Sequence, residues 1–107
     1  MSDEKTEIEV YTTRTFDRVY DRLSDDNQEV VDNEIEEIIK NPKIGQQKKG
    51  DLQHLRVHKF SLEDSQILLG YHFNDKALEV YLMYLGPHEN FYRDAKQRRK
   101  ADLKIIK

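Results

Sequence analysis

The spacing of apolar residues changes at Asn41-Pro42, and this change restricts the fold more than any other feature of the chain. Before this dipeptide, apolar residues mostly recur every three or four positions, as on one face of a helix. From Leu52 onward they alternate or run together over lengths typical of strands. Because proline lacks a backbone donor and ends helices, the dipeptide marks the boundary. The chain is therefore predicted to be α+β, with helices and sheet formed by separate parts of the sequence.

The N-terminal part predicts one strand followed by two helices. Ile8, Val10 and Thr12 alternate with polar residues, which indicates a short, half-buried strand. Thr15 is a candidate N-cap for the first helix, and Ser24, followed by two aspartates, for the second. The apolar stripes of the two helices are Phe16, Val19, Tyr20 and Leu23, then Val30, Val31, Ile35, Ile38 and Ile39.

The C-terminal part predicts a β-meander over residues 52–60, 66–73 and 78–85, because the links between these runs are short enough for hairpins. Gly86-Pro87 ends the last strand, and residues 88–99 have the spacing of a short helix. The expected architecture is an N-terminal strand and two-helix hairpin packed on a mostly antiparallel four-stranded sheet, followed by a short C-terminal helix.

Length and composition predict one domain over residues 1–107, with residues 1–6 and 101–107 as candidate flexible tails. No apolar run is long enough to cross a bilayer and the first residues are charged, so neither a membrane partner nor export is expected. The chain has no cysteine, which excludes disulfides, thiolate nucleophiles and cysteine-bound zinc and fits a cytoplasmic setting.

The net charge of −3 hides two parts of opposite sign. Residues 1–41 hold five Lys/Arg against thirteen Asp/Glu, a balance of −8, whereas residues 42–107 hold thirteen against eight, a balance of +5. All four histidines lie in the basic part. This division favours a local surface for a polyanion or an acidic partner. The alternative is that the charges only solvate the helices and the strands.

Three nitrogen-bearing side chains alternate on the first meander strand. His54, Arg56 and His58 should leave one face of the sheet, while Leu55 and Val57 point the other way. This pattern fits helices on one face and an open basic face opposite. Histidine can move a proton near neutral pH and arginine can hold a phosphate, which suits phosphodiester chemistry. A polar face without function is the alternative.

A second candidate group lies where the last strand meets the final helix. His88 and Tyr92 are four residues apart and therefore share one face of that helix, offering an exchangeable proton beside an aromatic ring. Capping and packing roles are the alternative.

Further basic residues could hold backbone phosphates or could simply be solvated: Lys48, Lys49, Lys96, Arg98, Arg99 and Lys100. The histidines 54, 58, 72 and 88 lack the spacing of a metal-ligand set, and the glycines are too dispersed for a phosphate-binding loop. No metal and no other cofactor is expected.

The element order and four segments together resemble the RelE/ParE superfamily of toxins from bacterial type II toxin–antitoxin modules. The segments are KKGDL (48–52), LRVHKF (55–60), LLGY (68–71) and LGPHENFYRD (85–94), and the match runs from about residue 8 to residue 96. The resemblance implies a RelE-like fold, a cognate antitoxin that wraps over it, and cleavage of messenger RNA in the ribosomal A site. In the cleaving members no metal is used: the ribose 2′-hydroxyl attacks the adjacent phosphate, and translation stops.

The family's positions carry over to particular residues. Arg56 matches the basic position on the first meander strand, His88 with Tyr92 matches the G-x-H-x-x-x-aromatic ending, and Tyr71 matches a strand aromatic. Leu68 departs from the family, because many cleaving members have an arginine there.

The departure at position 68 leaves Arg56, Lys59 or Arg93 to supply the positive charge. His54 and His58 are candidate proton partners of His88, and which histidine is base and which is acid stays open. Lys59 lies on the opposite face of its strand by alternation, so it would need a bulge to join them.

The full candidate set has two parts. The catalytic candidates are His88, Tyr92, Arg56, His58 and His54. The RNA-binding candidates are Lys48, Lys49, Lys59, Tyr71, Arg93, Lys96, Arg98 and Arg99.

Three functions compete. The leading one is a ribosome-dependent mRNA endonuclease that acts on ribosome and mRNA and is neutralised by an antitoxin. The second is inhibition of DNA gyrase, the non-catalytic branch of the superfamily, which Leu68 favours. The third is a binding module of the same fold without toxicity. Replacing His88 separates the first from the other two.

Overall fold

The computed structural model describes residues 7–106, so the tail predicted at residues 1–6 and the last residue, Lys107, lie outside the described part. Within residues 7–106, five strands form one sheet in the order β1-β5-β4-β3-β2. The strands are β1 (Glu9–Thr12), β2 (Gln46–Gln47), β3 (Arg56–Leu62), β4 (Ser65–Asn74) and β5 (Glu79–Pro87). β1 is parallel to β5, and the other pairs are antiparallel.

Four helices complete the described part of the chain: α1 (Arg14–Asp21), α2 (Asp25–Lys40), α3 (His88–Gln97) and α4 (Arg99–Ile106). The predicted α+β class is confirmed, as are the helical hairpin and the antiparallel meander. The sheet has one strand more than predicted, because the two-residue β2 is too short to leave a periodic pattern.

The helix starts follow from their caps. Ser24 caps α2 as predicted, with its Oγ accepting from the Asn27 amide at 3.2 Å. The predicted cap Thr15 is wrong for α1: the buried Thr13 hydroxyl accepts from the Phe16 amide at 3.1 Å and donates to the Met83 carbonyl at 2.9 Å. Thr13 therefore caps the helix and fixes it to β5 at the same time.

Two boundaries in the C-terminal part differ from prediction. The first meander strand is predicted at residues 52–60 but begins at Arg56, because residues 50–52 form a 3-10 turn that starts at Gly50, whose φ is 63°. The final helix is divided at Arg98, so residues 101–106 belong to α4 and the tail predicted for them is wrong. Asp102 holds α4 to the core: it is 1% exposed and accepts a hydrogen bond from the Tyr84 hydroxyl at 2.9 Å.

The sheet has a buried core on each side. The α2 face is the side covered by α1 and α2, and its core consists of Phe16, Val31, Ile38, Phe60, Leu69, Tyr71, Val80, Leu82 and Leu85. The α3 face is the opposite side, and its core consists of Leu52, Leu55, Val57, Leu68, Met83, Tyr84, Phe91 and Ala95. Helices on both sides contradict the expected sheet with one wholly open face. Within residues 7–106 no helix has both the length and the apolar character needed to cross a membrane.

Candidate functional site

Helix α3 begins directly at the end of β5 and lies close against the α3 face. Pro87 ends the strand and precedes His88, the first residue of the helix. A Cβ atom built on Gly70 of β4 would lie 2.7 Å from Cζ of Phe91, so only glycine leaves room for this ring. The ring also meets Tyr84 edge-on, with centroids 5.6 Å apart. Gly70 thus sets the height of α3 above the sheet.

The outer side of α3 brings His88, Tyr92 and Lys48 together. The imidazole of His88 meets the Tyr92 ring edge to face, with centroids 5.5 Å apart. Lys48, from the segment before β3, places Nζ 5.1 Å from the centroid of the same ring, which is within cation–π range. We call these three residues the His88 cluster. It combines a group that can transfer a proton, a phenol and a fixed positive charge.

Lys59 lies on the same side of the sheet as the His88 cluster. Its neighbour Val57 packs in the core of the α3 face, whereas Phe60 packs in the core of the α2 face. Because side chains alternate along a strand, Lys59 points to the α3 face, and it is exposed there. No bulge is needed for Lys59 to join the site.

Arg56 and His58 lie on the wrong face to work with His88. The His58 Nε2 atom is 2.7 Å from Oε1 of Glu34 on α2, and the two side chains are 12% and 29% exposed. The Arg56 Nη1 group donates to the carbonyl oxygens of Gly45 at 2.8 Å and Lys43 at 3.2 Å. Helix α2 and the segment after it therefore cover the predicted open basic face, and placing these two residues at a common site with His88 is wrong.

His54 is also separated from His88. It precedes β3, whereas Pro87 pairs with Ile67, which pairs with Phe60 near the other end of that strand. At about 3.3 Å per residue, the two ends of this stretch are roughly 20 Å apart. His54 is 9% exposed, and its pKa is lowered by burial and then by the positive charges of His72 and Arg99. The predicted pairing of His54 with His88 is wrong on this distance.

Tyr71 has no surface for RNA. It is fully buried, its hydroxyl donates to the Pro42 carbonyl at 2.7 Å, and the same oxygen accepts from the Gly45 amide at 2.9 Å. Burial raises the pKa of Tyr71. The predicted RNA contact is therefore wrong, and Tyr71 instead ties the segment after α2 to the sheet. Leu68, at the family's arginine position, is fully buried in the core of the α3 face.

The remaining basic candidates surround α3. His88, Tyr92 and Lys96 recur every four residues and so lie along one side of the helix. Arg99 donates from Nε to the Asp51 carbonyl at 2.8 Å, which joins α4 to the turn before β3. The Arg93 Nε atom lies 3.6 Å from Oδ1 of Asp94. The exposed basic candidates are Lys49, Arg93, Lys96 and Arg98. The α3 face is thus the basic side of the sheet.

A cleft of about 410 Å³ lies between α1 and α3, and its lining contains none of the three residues of the His88 cluster. It is lined by Gly86 and Pro87 and by two arginines, Arg18 and Arg98. This volume is in the range of small-ligand sites, and one carboxylate, that of Asp94, lines the cleft together with the two arginines. Among the described residues, no three histidine, aspartate or glutamate side chains are grouped closely enough to hold a metal ion.

The contact between Lys48 and Tyr92 was not predicted from the sequence. Lys48 is predicted to bind RNA but not to touch the aromatic residue, because 44 positions separate the two and no local pattern links them. The contact arises where α3 crosses the sheet toward the segment before β3. The one signal in the sequence is that both residues lie in its basic part, residues 42–107.

Comparisons with known proteins bear on the family and the fold. A family model described as a ParE-like toxin of type II bacterial toxin–antitoxin systems matches residues 10–96. No curated protein sequence is significantly similar to the chain.

Solved structures of an E. coli toxin share the fold. A variant of E. coli toxin RelE in the free state has a TM-score of 0.67 and 19% identity, covering 87% of this chain and 98% of that one. The intact E. coli RelBE toxin–antitoxin complex gives 0.63 and 18%, with coverage of 78% and 99%. A RelE variant bound to a peptide of antitoxin RelBc gives 0.60 and 19%, with coverage of 82% and 93%. At these identities the likeness shows the fold alone.

Proposed function

The chain belongs to the ParE-like toxins of type II bacterial toxin–antitoxin systems, within the RelE/ParE superfamily, and on that premise we propose that it is a ribosome-dependent endonuclease that cleaves messenger RNA in the cytoplasm. The observation that carries this proposal is the His88 cluster. A titratable imidazole in contact with a tyrosine that also holds an ammonium group is an arrangement suited to phosphodiester cleavage.

The proposed reaction uses no external nucleophile. The ribose 2′-oxygen attacks the adjacent phosphorus and gives its proton to a base, while the bond from phosphorus to the 5′-oxygen breaks and that oxygen takes a proton from an acid. The products are a 2′,3′-cyclic phosphate and a 5′-hydroxyl. His88 can serve as either proton carrier, and the Tyr92 hydroxyl is a second group with an exchangeable proton on the same side of α3.

Positive charge at the transition state comes from lysines in this proposal. Leu68 is buried and cannot provide it, but Lys48 stands over the Tyr92 ring and Lys59 is exposed on the same face of the sheet. Their ammonium groups would stabilise the extra negative charge that develops on the phosphate oxygens. Arg56, held by two carbonyl groups on the other side, has no part in this step.

A cognate antitoxin is the proposed protein partner. The family is defined by toxin–antitoxin pairs, and the RelE structures of the same fold include complexes with the RelB antitoxin. Neutralisation requires that the antitoxin cover the α3 face or prevent the toxin from entering the ribosome.

Primer-extension mapping of a defined message in a translating extract tests the proposal. The wild-type protein should cut at A-site codons, and His88→Ala should cut at least about 100-fold more slowly, the usual contribution of one proton-transfer group. Tyr92→Phe keeps the ring and removes only the hydroxyl, so it separates proton donation from positioning. Lys48→Gln should also slow cleavage, whereas Lys76→Gln, an exposed lysine in the turn after β4, is the matched charge control.

Circular dichroism and antitoxin binding must match wild type for each variant, so that lost cleavage reports chemistry and not unfolding. Undiminished cutting by His88→Ala would refute the assignment of the site. Cutting that depends on His88 but not on ribosomes would refute the ribosomal part alone.

Inhibition of DNA gyrase is the second candidate function, and the burial of Leu68 in place of an arginine favours it. In that function no residue performs chemistry. A supercoiling assay in which wild type and His88→Ala inhibit gyrase equally, together with no cuts in the message, would select this candidate.

A further inference from the structure

A second pocket lies at the opposite end of the sheet from His88. Its volume is about 250 Å³, and its lining includes Lys43, Gln47, His54, Arg56, His72 and Asp75. None of these residues belongs to the His88 cluster. The volume is below the range of roughly 300–1,000 Å³ for drug-sized ligands, so the pocket suits a small polar group.

The charge of this pocket favours an anion. Lys43 and Arg56 contribute two positive charges, and Asp75 is the one carboxylate among the lining residues in the described part of the chain. Within residues 7–106, neither Lys43 nor Arg56 has a carboxylate oxygen within 4.0 Å. Among the described residues, no ion pair therefore neutralises these two charges.

Two of the nitrogen donors are held in place before any ligand arrives. Only Nη1 of Arg56 is used by the carbonyl oxygens of Gly45 and Lys43, which leaves the other N–H groups of the guanidinium. His72 donates from Nδ1 to the His54 carbonyl at 2.7 Å, which fixes the ring and leaves Nε2 without a protein partner in the described residues. Arg56 and His72 both line the pocket, and a guanidinium is a typical ligand for phosphate oxygens.

His54 supplies an independent observation. Its side chain is more than nine-tenths buried, and its Nε2 atom is the buried side-chain nitrogen without a hydrogen-bond partner among the described residues. Buried polar atoms are nearly always paired, and the exceptions call for an explanation such as a bound water, an ion or a catalytic role. His54 lines the pocket, and its unpaired nitrogen is enclosed by protein next to it.

We infer that this pocket binds a phosphate group, with Lys43 and Arg56 supplying charge and His72 Nε2 accepting a hydrogen bond from a phosphate hydroxyl or, in the protonated ring, donating one to a phosphate oxygen. The ligand class is a phosphomonoester, which is either a free phosphate or nucleotide or the 5′-phosphate of an RNA. This site does not depend on RNA cleavage at His88, so it can be confirmed or refuted independently of the proposed function.

An NMR titration with inorganic phosphate tests the site, following the imidazole signals of His54 and His72 and the side-chain amide of Gln47. Saturable shifts are expected, and chloride at equal ionic strength should produce none. Lys43→Gln keeps the carbonyl that Arg56 uses and removes only the charge, and His72→Gln removes the imidazole. Each should weaken binding by roughly tenfold or more, the factor for losing one charge-assisted hydrogen bond. Lys76→Gln, in the turn next to Asp75, is the matched control and should bind like wild type.

Three further probes identify the source of the phosphate: a nucleoside 5′-monophosphate, a short RNA with a 5′-phosphate, and the same RNA with a 5′-hydroxyl. Tight binding of the monophosphate supports a small ligand. Preference for the 5′-phosphorylated RNA over both other probes supports an RNA end. The inference is overturned if no probe gives saturable shifts at the pocket, or if both pocket variants bind as tightly as wild type.

Discussion

Replacing Gly70 with alanine should loosen helix α3 and thereby damage the candidate site. The new Cβ would lie 2.7 Å from Cζ of Phe91. The Phe91 ring is 4% exposed and lies between Tyr84, at 5.6 Å, and Tyr92, at 5.2 Å, so it cannot turn away cheaply. The helix must then rise from the sheet and carry Tyr92 with it.

The expected cost follows from two opposing effects. Overpacking a core by one methyl group typically costs about 1–3 kcal/mol. Alanine in place of a strand glycine returns about 0.5–1 kcal/mol through lower backbone entropy. The net loss of stability at Gly70 is therefore about 0–2.5 kcal/mol by these values, at roughly 4–8 °C of melting temperature per kcal/mol in a domain of this size. A displacement of about 1 Å at the His88 cluster should lower cleavage on the order of 100-fold.

Gly86→Ala is the matched control, because a Cβ there meets no atom within 4 Å and the residue pairs with Leu68 on the neighbouring strand. Urea unfolding and primer extension should be measured for both variants. Phe91→Leu in the Gly70→Ala background should recover part of the lost stability, with a favourable coupling in the double-mutant cycle. If Gly70→Ala proves as stable as Gly86→Ala, the steric account of how α3 is positioned is refuted.

Three further substitutions test the contacts that hold the rest of the structure. Burial raises the pKa of Asp102, so the folded state binds this proton more readily than the unfolded state and its stability falls as the pH rises through the raised value. Asp102→Asn can still accept a hydrogen bond from Tyr84 and should therefore stabilise the protein at neutral pH. The expected gain is about 1.4 kcal/mol for each tenfold difference in proton affinity between the folded and unfolded states. Urea unfolding should show that this gain disappears in acid. His58→Gln should lower the free energy of unfolding by about 1 kcal/mol, because the contact with Glu34 is lost. If this variant instead loses cleavage at unchanged stability, His58 belongs to the catalytic residues after all. Tyr71→Phe should lower the free energy of unfolding by about 1–2 kcal/mol, because two hydrogen bonds are lost. Amide hydrogen exchange should then be faster in the segment after α2, and an unchanged exchange rate would contradict the anchoring role of Tyr71.

Elements with a strong local pattern were predictable from the sequence. The stripe ending at Asn41-Pro42 predicts α2, and Ser24 caps it through its own side chain. β2 was not predictable, because two residues cannot show a period and its pairing with β3 depends on the segment from residue 41 to residue 47. The division at Arg98 also left no clear signal, since the burial of Asp102 depends on the distant Tyr84.

The candidate site shows the same limit. Helical spacing was enough to bring His88 and Tyr92 together, but strand alternation predicts only which side chains share a face. It does not say which face the helical hairpin covers. Phe60 carries that information: it lies on the same side of β3 as Arg56 and His58 and is buried against α2, so those two side chains face the helical hairpin as well.

The division of charge along the sequence becomes a division between the two faces of the sheet. The acidic first part of the chain supplies α1 and α2 and covers the α2 face, whereas the lysines and arginines around α3 lie on the other side. In the proposed function, an approaching RNA would be repelled by the first surface and attracted by the second before any specific contact forms. Charge would therefore select the face on which RNA binds, but it could not fix a reacting phosphate to within a fraction of an ångström. That second requirement depends on the fit of Phe91 over Gly70, because α3 carries both His88 and Tyr92. Position 70, which touches neither charge nor substrate, is consequently expected to control cleavage more strongly than any single basic residue at the edge of this surface.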